Sequence, residues 1–394
     1  MIMKPLYTIA FLLMASGLFS CSKKTIEATQ ACTGPSLPAH SKAARFQAVI
    51  DQYTQQGLPG ITLLVRDTQG TWAGASGMAD IEKGILMQPC HIAKVASITK
   101  IFMATLAFKL MEQGLLDLDA PVSAYLDAGQ LKNIANAEQV TVRQLLNHTT
   151  GIYDVIKDNA FYLDVLNNPP KHRNQEDILK FVRGKKAAFP PGEGPGYSNT
   201  NTLLLSMIID KIGGKPHQQL LHELVIDPLQ LSNTYYYYHD PLPEAKVAQG
   251  YYDLYNNGQI ENLSSYNTGS GNGYTGLYSN VFDLLTFIDR LLIQKNLVTE
   301  NSLNQMLTFN SKEEEGSDRL LGPGVMKDFI HRSNDEYALG HRGRDLAYSA
   351  DLFYFPVQKQ VMVLIVNYGT DGDSKLRPVF YDLRKAVVDA MMQP

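Results

Sequence analysis

Between Arg45 and Gln56 the apolar residues Phe46, Val49, Ile50 and Tyr53 recur three and four positions apart. That spacing predicts an amphipathic helix, stopped by Gly57 and Pro59. The period then changes. GITLLVRD and TWAGASGMAD, joined by the turn residues Gln69 and Gly70, read as two antiparallel strands. A third pattern starts near Ser97 and ends at Gln113-Gly114, apolar on nearly every side, as a buried helix is. The middle of the chain reads as helices and long loops, with helices expected at 141–147, 175–183, 201–212 and 281–293. Strand character returns at 347–355 and 360–367, divided by a Pro356-Val357-Gln358 turn, and the chain closes on an amphipathic helix, 376–392. Strands at both ends and helices between them predict an α/β (α+β) domain over 43–394. Its antiparallel sheet comes from both termini (about 43–120 and 325–394), and its mostly helical part covers about 121–324.

Composition narrows the function classes. The 394 residues are 44% hydrophobic and 19% charged, as in a globular protein. A net charge of −4 without a basic block argues against nucleic acid as a partner. Lys4 followed by the apolar run Ile9–Phe19 suits a signal peptide (residues 1–20), the run being too short to span a bilayer. Leu18-Phe19-Ser20-Cys21 resembles a bacterial lipobox, which implies cleavage before Cys21 and a lipid on it. Residues 22–42 are polar, contain Pro35 and Pro38, and read as a tether. The expected location is the bacterial cell envelope, facing periplasm or cell surface, with the membrane met through the lipid. An oxidising compartment would permit a Cys32–Cys90 bridge, but the place of Cys32 in the tether argues against a structural one. No CxxC or HExxH pattern gives a metal site support.

Within the buried helix, Lys100 stands three residues after Ser97, on the same face. A serine hydroxyl needs a nearby base, and an apolar environment can make lysine one by disfavouring its charged form. The S-x-x-K spacing is weak alone, since Ser20-Cys21-Ser22-Lys23 repeats it at the expected cleavage site. Two further motifs support the pair. Tyr197-Ser198-Asn199 follows the loop PPGEGPG, and His341-Arg342-Gly343 precedes the C-terminal strands. Several other signals take structural readings. His148 is expected to satisfy backbone groups at a helix end. Glu193 reads as a solvated turn residue, Trp72 as core, and Tyr235 to Tyr238 chiefly as packing. The G-x-G-x-x-G match at Gly271–Gly276 lacks a preceding buried strand and reads as a flexible loop beside a cleft.

SITK, YSN and HRG in this order resemble the serine β-lactamase and penicillin-binding-protein superfamily, in the branch of class C β-lactamases, DD-carboxypeptidases and related esterases. The connecting stretches MEQGLLDLDAPVSAYL, VTVRQLLNHTTGI and GYTGLYSNVFDLLTFI are similar too. The resemblance implies a site in the cleft between sheet and helical part, and no cofactor. Ser97 would be the acylated nucleophile, Lys100 would take or hold its proton, and Tyr197 would be general base or proton shuttle. Asn199 would bind the carbonyl side of the substrate. His341 would line the cleft on an edge strand, with Gly343 and Arg344 beside it. The backbone N–H groups of Ser97 and Arg344 would form the oxyanion hole. Arg342 and Arg344 at the rim suit a substrate carboxylate, or point to solvent. The expected activity is that of a DD-carboxypeptidase or D-amino-acid peptidase. An esterase, a β-lactamase and a non-catalytic lipoprotein that binds cell-wall peptides are the alternatives.

Overall fold

The computed structural model describes residues 30–333 and 335–393. The expected signal peptide, Cys21 and the first part of the tether lie outside the described residues. The remainder of the tether is docked. Cys32 is disulfide-bonded to Cys90, across 58 residues of sequence, and the Gln30 amide donates to the Ala245 carbonyl at 2.6 Å. The segment lacks an apolar period of its own, so its docking depends on a covalent partner that spacing alone does not reveal.

One antiparallel sheet carries the domain. Its strands are β1 (Gly60–Asp67), β2 (Gly70–Asp80), β3 (Ile85–Leu86), β4 (Ser311–Lys312), β5 (Leu320–Leu321), β6 (Met326–Asp328), β7 (Ala338–Arg344), β8 (Ser349–Phe355) and β9 (Gln360–Val366). They lie in the order β3-β2-β1-β9-β8-β7-β6-β5-β4, so the two ends of the chain meet where β1 pairs with β9, Ile61 opposite Val366. Val361 to Val366 are buried at successive positions, so both faces of the sheet are covered.

The register assigns the faces. Trp72 and Ser76 turn toward helix α1 (Ala43–Gln55), where Trp72 packs on Phe46 and Ser76 bonds Thr54. Through the pairs Leu63–Leu364, Asp351–Leu364 and Arg342–Asp351, the same face carries Arg342 and Arg344 on β7. The C-terminal helix, Arg377–Met392, packs there with α1 and sends Arg384 to Asp351. His341 and Gly343 therefore face the opposite side, where the buried helix α2 (Thr99–Glu112) lies. Alternation thus divides the run His341-Arg342-Gly343-Arg344 between two environments.

Local signals place the remaining helices well and their ends less well. Thr141 caps Val142–Asn147 through a reciprocal box with Gln144. The expected helix at 175–183 is shorter, Gln175–Leu179, and breaks into turns. The one at 281–293 is α-helical only to Ile288 and ends in a wider π turn. No helix of the described residues is long and apolar enough to cross a membrane.

Candidate active site

Ser97 lies in a short 3-10 turn, Ala96–Ile98, that leads into α2. Ala96 adopts φ +48°, a left-handed conformation uncommon for a residue with a Cβ. The turn is held by the Thr99 hydroxyl, which donates to the Ala96 carbonyl at 2.7 Å and accepts from the Leu277 amide at 3.1 Å. Along β7, β6 pairs only with Ala338–Gly340, so from His341 onward the free edge of β7 faces this turn. The approach is close. A Cβ on Gly343 would stand 2.1 Å from the Val95 carbonyl oxygen and 3.1 Å from the Ala96 Cβ. Only glycine fits there.

Lys100 is the second residue of α2 and 3% exposed. Its Nζ donates to Ser97 Oγ at 2.9 Å, to Asn199 Oδ1 at 2.7 Å and to the Tyr274 carbonyl at 2.7 Å. Three acceptors fix the amine, yet enclosure dominates its charge. Burial pulls its pKa down to about 7, against the opposing pull of Asp154, Asp345 and Asp371. Both neighbouring imidazoles, His148 and His341, are pushed down to about 3, chiefly by burial and then by Lys100. They stay neutral at pH 7 and add no competing positive charge.

Tyr197 stacks on His148, ring centroids 4.3 Å apart, and its ring lies 5.1 Å from Lys100 Nζ. Burial raises its pKa well above 10, with Ser97 acting in the opposite direction. The phenol is therefore protonated, and its enclosed oxygen has no hydrogen-bond partner in the free site. Of the two groups left open as base by the motifs, Lys100 is the one that changes charge near neutrality. If neutral Lys100 is the form that removes the Ser97 proton, acylation rises with pH through about 7 and levels above it. A rate-pH profile of single-turnover acylation checks this; a flat profile between pH 5.5 and 8.5 would contradict it.

Asn199 begins the helix Asn199–Gly213 and lines the cleft, but both ends of its amide are already engaged. Oδ1 holds Lys100, and Nδ2 points to the Asp154 carboxylate at 3.2 and 3.3 Å. Its amide is thus engaged chiefly in holding Lys100 and Asp154 in place. His341 departs from expectation too. It is 2% exposed, donates Nδ1–H to the Arg342 carbonyl at 2.7 Å, and shares a small void with Lys100 and His148 rather than lining the main cleft. Neither arginine is a free carboxylate clamp or a solvated side chain. Arg342 is ion-paired with Glu313. Arg344 bonds Asp351 at 2.8 Å and the Gly343 and Ala350 carbonyls at 2.7 Å. The Arg344 backbone is oriented differently. Because the Asp345 amide bonds the Tyr348 carbonyl, the ladder alternates and turns the Arg344 N–H away from β8, toward the free edge.

The cleft beside Ser97 is a cavity of about 200 Å³, lined by Tyr197, Asn199, Thr268, Tyr162 and Asp371 among others. Sequence reasoning did not single out Asp154, Tyr162, Tyr274 or Asp371, and it gave His148 only a local role. His148 does sit at the end of its helix, in the left-handed region, but the backbone group that its ring satisfies is distant: it accepts from the Ser198 amide at 3.2 Å. The same ring also supports Tyr197. The glycine loop is packed rather than loose, with Tyr274 buried beneath Lys100. Among the tyrosines, Tyr236 is core, whereas Tyr238 is 61% exposed and stacks on His172. Glu193 is exposed, and Trp72 packs on the core as expected. No cluster of His, Cys, Asp or Glu among the described residues could hold a metal.

Comparison with known proteins gives the family. The Beta-lactamase family model matches residues 46–383. The D-alanyl-D-alanine-carboxypeptidase/endopeptidase AmpH of Escherichia coli is 25% identical over 57% of the chain and 57% of its own length. Esterase EstB of Burkholderia gladioli is 28% identical over 54% of the chain and 58% of its own length. The chain thus spans little more than half of either relative, and 37% of another, Protein flp of Staphylococcus aureus. Among solved structures, a D-stereospecific amidohydrolase from Streptomyces superposes with a TM-score of 0.76 at 28% identity, covering 90% of this chain and 99% of that one. Antiparallel sheet, helical part and family match coincide over nearly the whole described length: the chain belongs to the β-lactamase family of hydrolases.

Proposed function

We propose that the protein is a serine acyl hydrolase that works through a covalent ester on Ser97 and acts on amide bonds of D-amino-acid derivatives or peptides. The observation that carries this reading is the Lys100 amine, 2.9 Å from Ser97 Oγ and poised near pKa 7 by its enclosure. Neutral Lys100 accepts the Ser97 proton as Oγ bonds to the substrate carbonyl carbon. The Ser97 and Arg344 N–H groups take the oxyanion, worth about 3 kcal/mol per donor. The C–N bond then breaks, with a proton from Tyr197 reaching the departing nitrogen and one from Lys100 restoring the phenol. Water, deprotonated through the same pair, attacks the ester and frees Ser97.

The D-amino-acid part rests on similarity to the Streptomyces amidohydrolase and to AmpH. D-alanine and L-alanine p-nitroanilides test it. A preference of more than about tenfold in kcat/KM for the D isomer is expected, since a missed contact costs roughly 1.4 kcal/mol per tenfold. Equal rates would reject it. An esterase is the second reading, favoured by similarity to EstB. Turnover of p-nitrophenyl acetate with no anilide hydrolysis would select it. We further propose that Cys21 carries a lipid at the cell envelope, in which case Cys21→Ser releases the chain from the membrane fraction.

A further inference from the structure

The cleft that holds Ser97 also holds a carboxylate without an ion-pair partner among the described residues. Asp371 follows β9 and lines the same cavity as Ser97. Tyr162 donates its hydroxyl to Asp371 Oδ2, while Oδ1 has no partner among the described residues. The surrounding charges do not fill this place. Lys94 is committed to Asp345, Arg342 to Glu313, Arg344 to Asp351 and Arg377 to Asp373. Asp154 lies beneath the Asn199 amide. Two other charged residues line the cavity, Lys157 and Glu314, and both are exposed at its mouth.

Asp371 is half-buried, and the already paired Arg342 acts on it only at a distance; a partly buried carboxylate without an ion pair gains from a cation brought by a ligand. With each guanidinium already occupied and the remaining lining cation, Lys157, exposed to solvent, the enclosed part of the cleft offers an ammonium group a better partner than it offers a carboxylate. We propose that Asp371, oriented by Tyr162, is the subsite for the free α-amino group of the substrate, so that the enzyme removes or hydrolyses N-terminal residues with an unblocked amine. This rests on the acyl-hydrolase reading of the site, and narrows it from peptides cut near a free carboxylate to aminoacyl amides and peptides cut next to a free amine. Burial, with Asp345 and Asp154 nearby, raises the carboxyl's pKa against the opposing pull of Tyr162 and Arg342.

Binding to the Ser97→Ala protein separates this proposal from the chemistry. Calorimetry compares D-phenylalaninamide with its N-acetyl derivative, which lacks the charge. The free amine is expected to bind more than about tenfold tighter, and Asp371→Asn to reduce that ratio to within about twofold. Tyr162→Phe, which keeps the carboxylate, should retain most of the preference. Equal or tighter binding of the acetylated amide, or no binding of the free amine at millimolar concentration, overturns the proposal even if Ser97 is acylated by other reagents. A preference that survives in a folded Asp371→Asn protein overturns the assignment to this residue.

Discussion

Lys100→Met is expected to lower kcat/KM by about 10³-fold while the protein still folds. General base catalysis by a positioned group is worth roughly 10²–10⁴, and no other group beside Ser97 Oγ can take its proton near neutrality. Tyr197 stays protonated, and His148 and His341 are weak bases at about 3. Methionine keeps the volume of an enclosed site and removes only the amine. Stability supplies a second, signed readout. The folded pKa is about 7, against an ordinary value of 10.5. Between these values the unfolded chain holds a proton that the folded chain does not, so this group makes the native protein more stable as pH rises. Below about 7 both states are protonated and the burial penalty is complete. The unfolding midpoint of Lys100→Met relative to the unaltered protein should therefore climb as pH falls from 9 to 6.5. A difference that is independent of pH, or activity within tenfold, would show that Lys100 is an ordinary charged lysine.

Gly343→Ala is expected to cost about 10²-fold in kcat, through geometry alone. The added methyl would stand 2.1 Å from the Val95 carbonyl oxygen, backbone that cannot rotate aside. Either the Ala96–Ile98 turn retreats from β7 or β7 bends, and both move Ser97 relative to the Arg344 amide. A displacement near 1 Å costs on the order of 10²-fold even when no reacting group is altered. The overpacked contact should also cost about 1–3 kcal/mol in unfolding experiments. Steady-state kinetics with circular dichroism separates the outcomes. A folded protein with kcat within about twofold would mean that the turn and strand are not the rigid frame described above.

Much of this was legible in the chain, and the reasons differ by residue. The all-round apolar stretch after Ser97 announced a buried helix, and its lysine announced a perturbed base, because local periodicity and burial go together there. The sheet was legible from both ends because β1 and β9 carry buried runs rich in β-branched residues and β8 a buried run that ends in aromatic ones. His148 was not legible as a neighbour of Tyr197, since 49 positions separate residues that meet only through the helix starting at Asn199. The arginines were misread for a similar reason. Period-two alternation shows that Arg342 and Arg344 share a face, but only the register with β8 shows that Asp351 waits on it. Asp371 gives no local signal at all, standing among polar turn residues whose cavity is formed by distant segments. The Cys32–Cys90 bridge was hidden by its setting, because a polar, proline-containing segment looks like a linker until its covalent partner is known.

The most direct test of the central claim is intact-protein mass spectrometry after exposure to a fluorophosphonate and, separately, to a penicillin. The reading of the site predicts a single stoichiometric adduct with at least one reagent, mapped to Ser97 and missing from Ser97→Ala. An adduct that persists in Ser97→Ala, or none with either reagent in a folded protein, would contradict a nucleophilic Ser97.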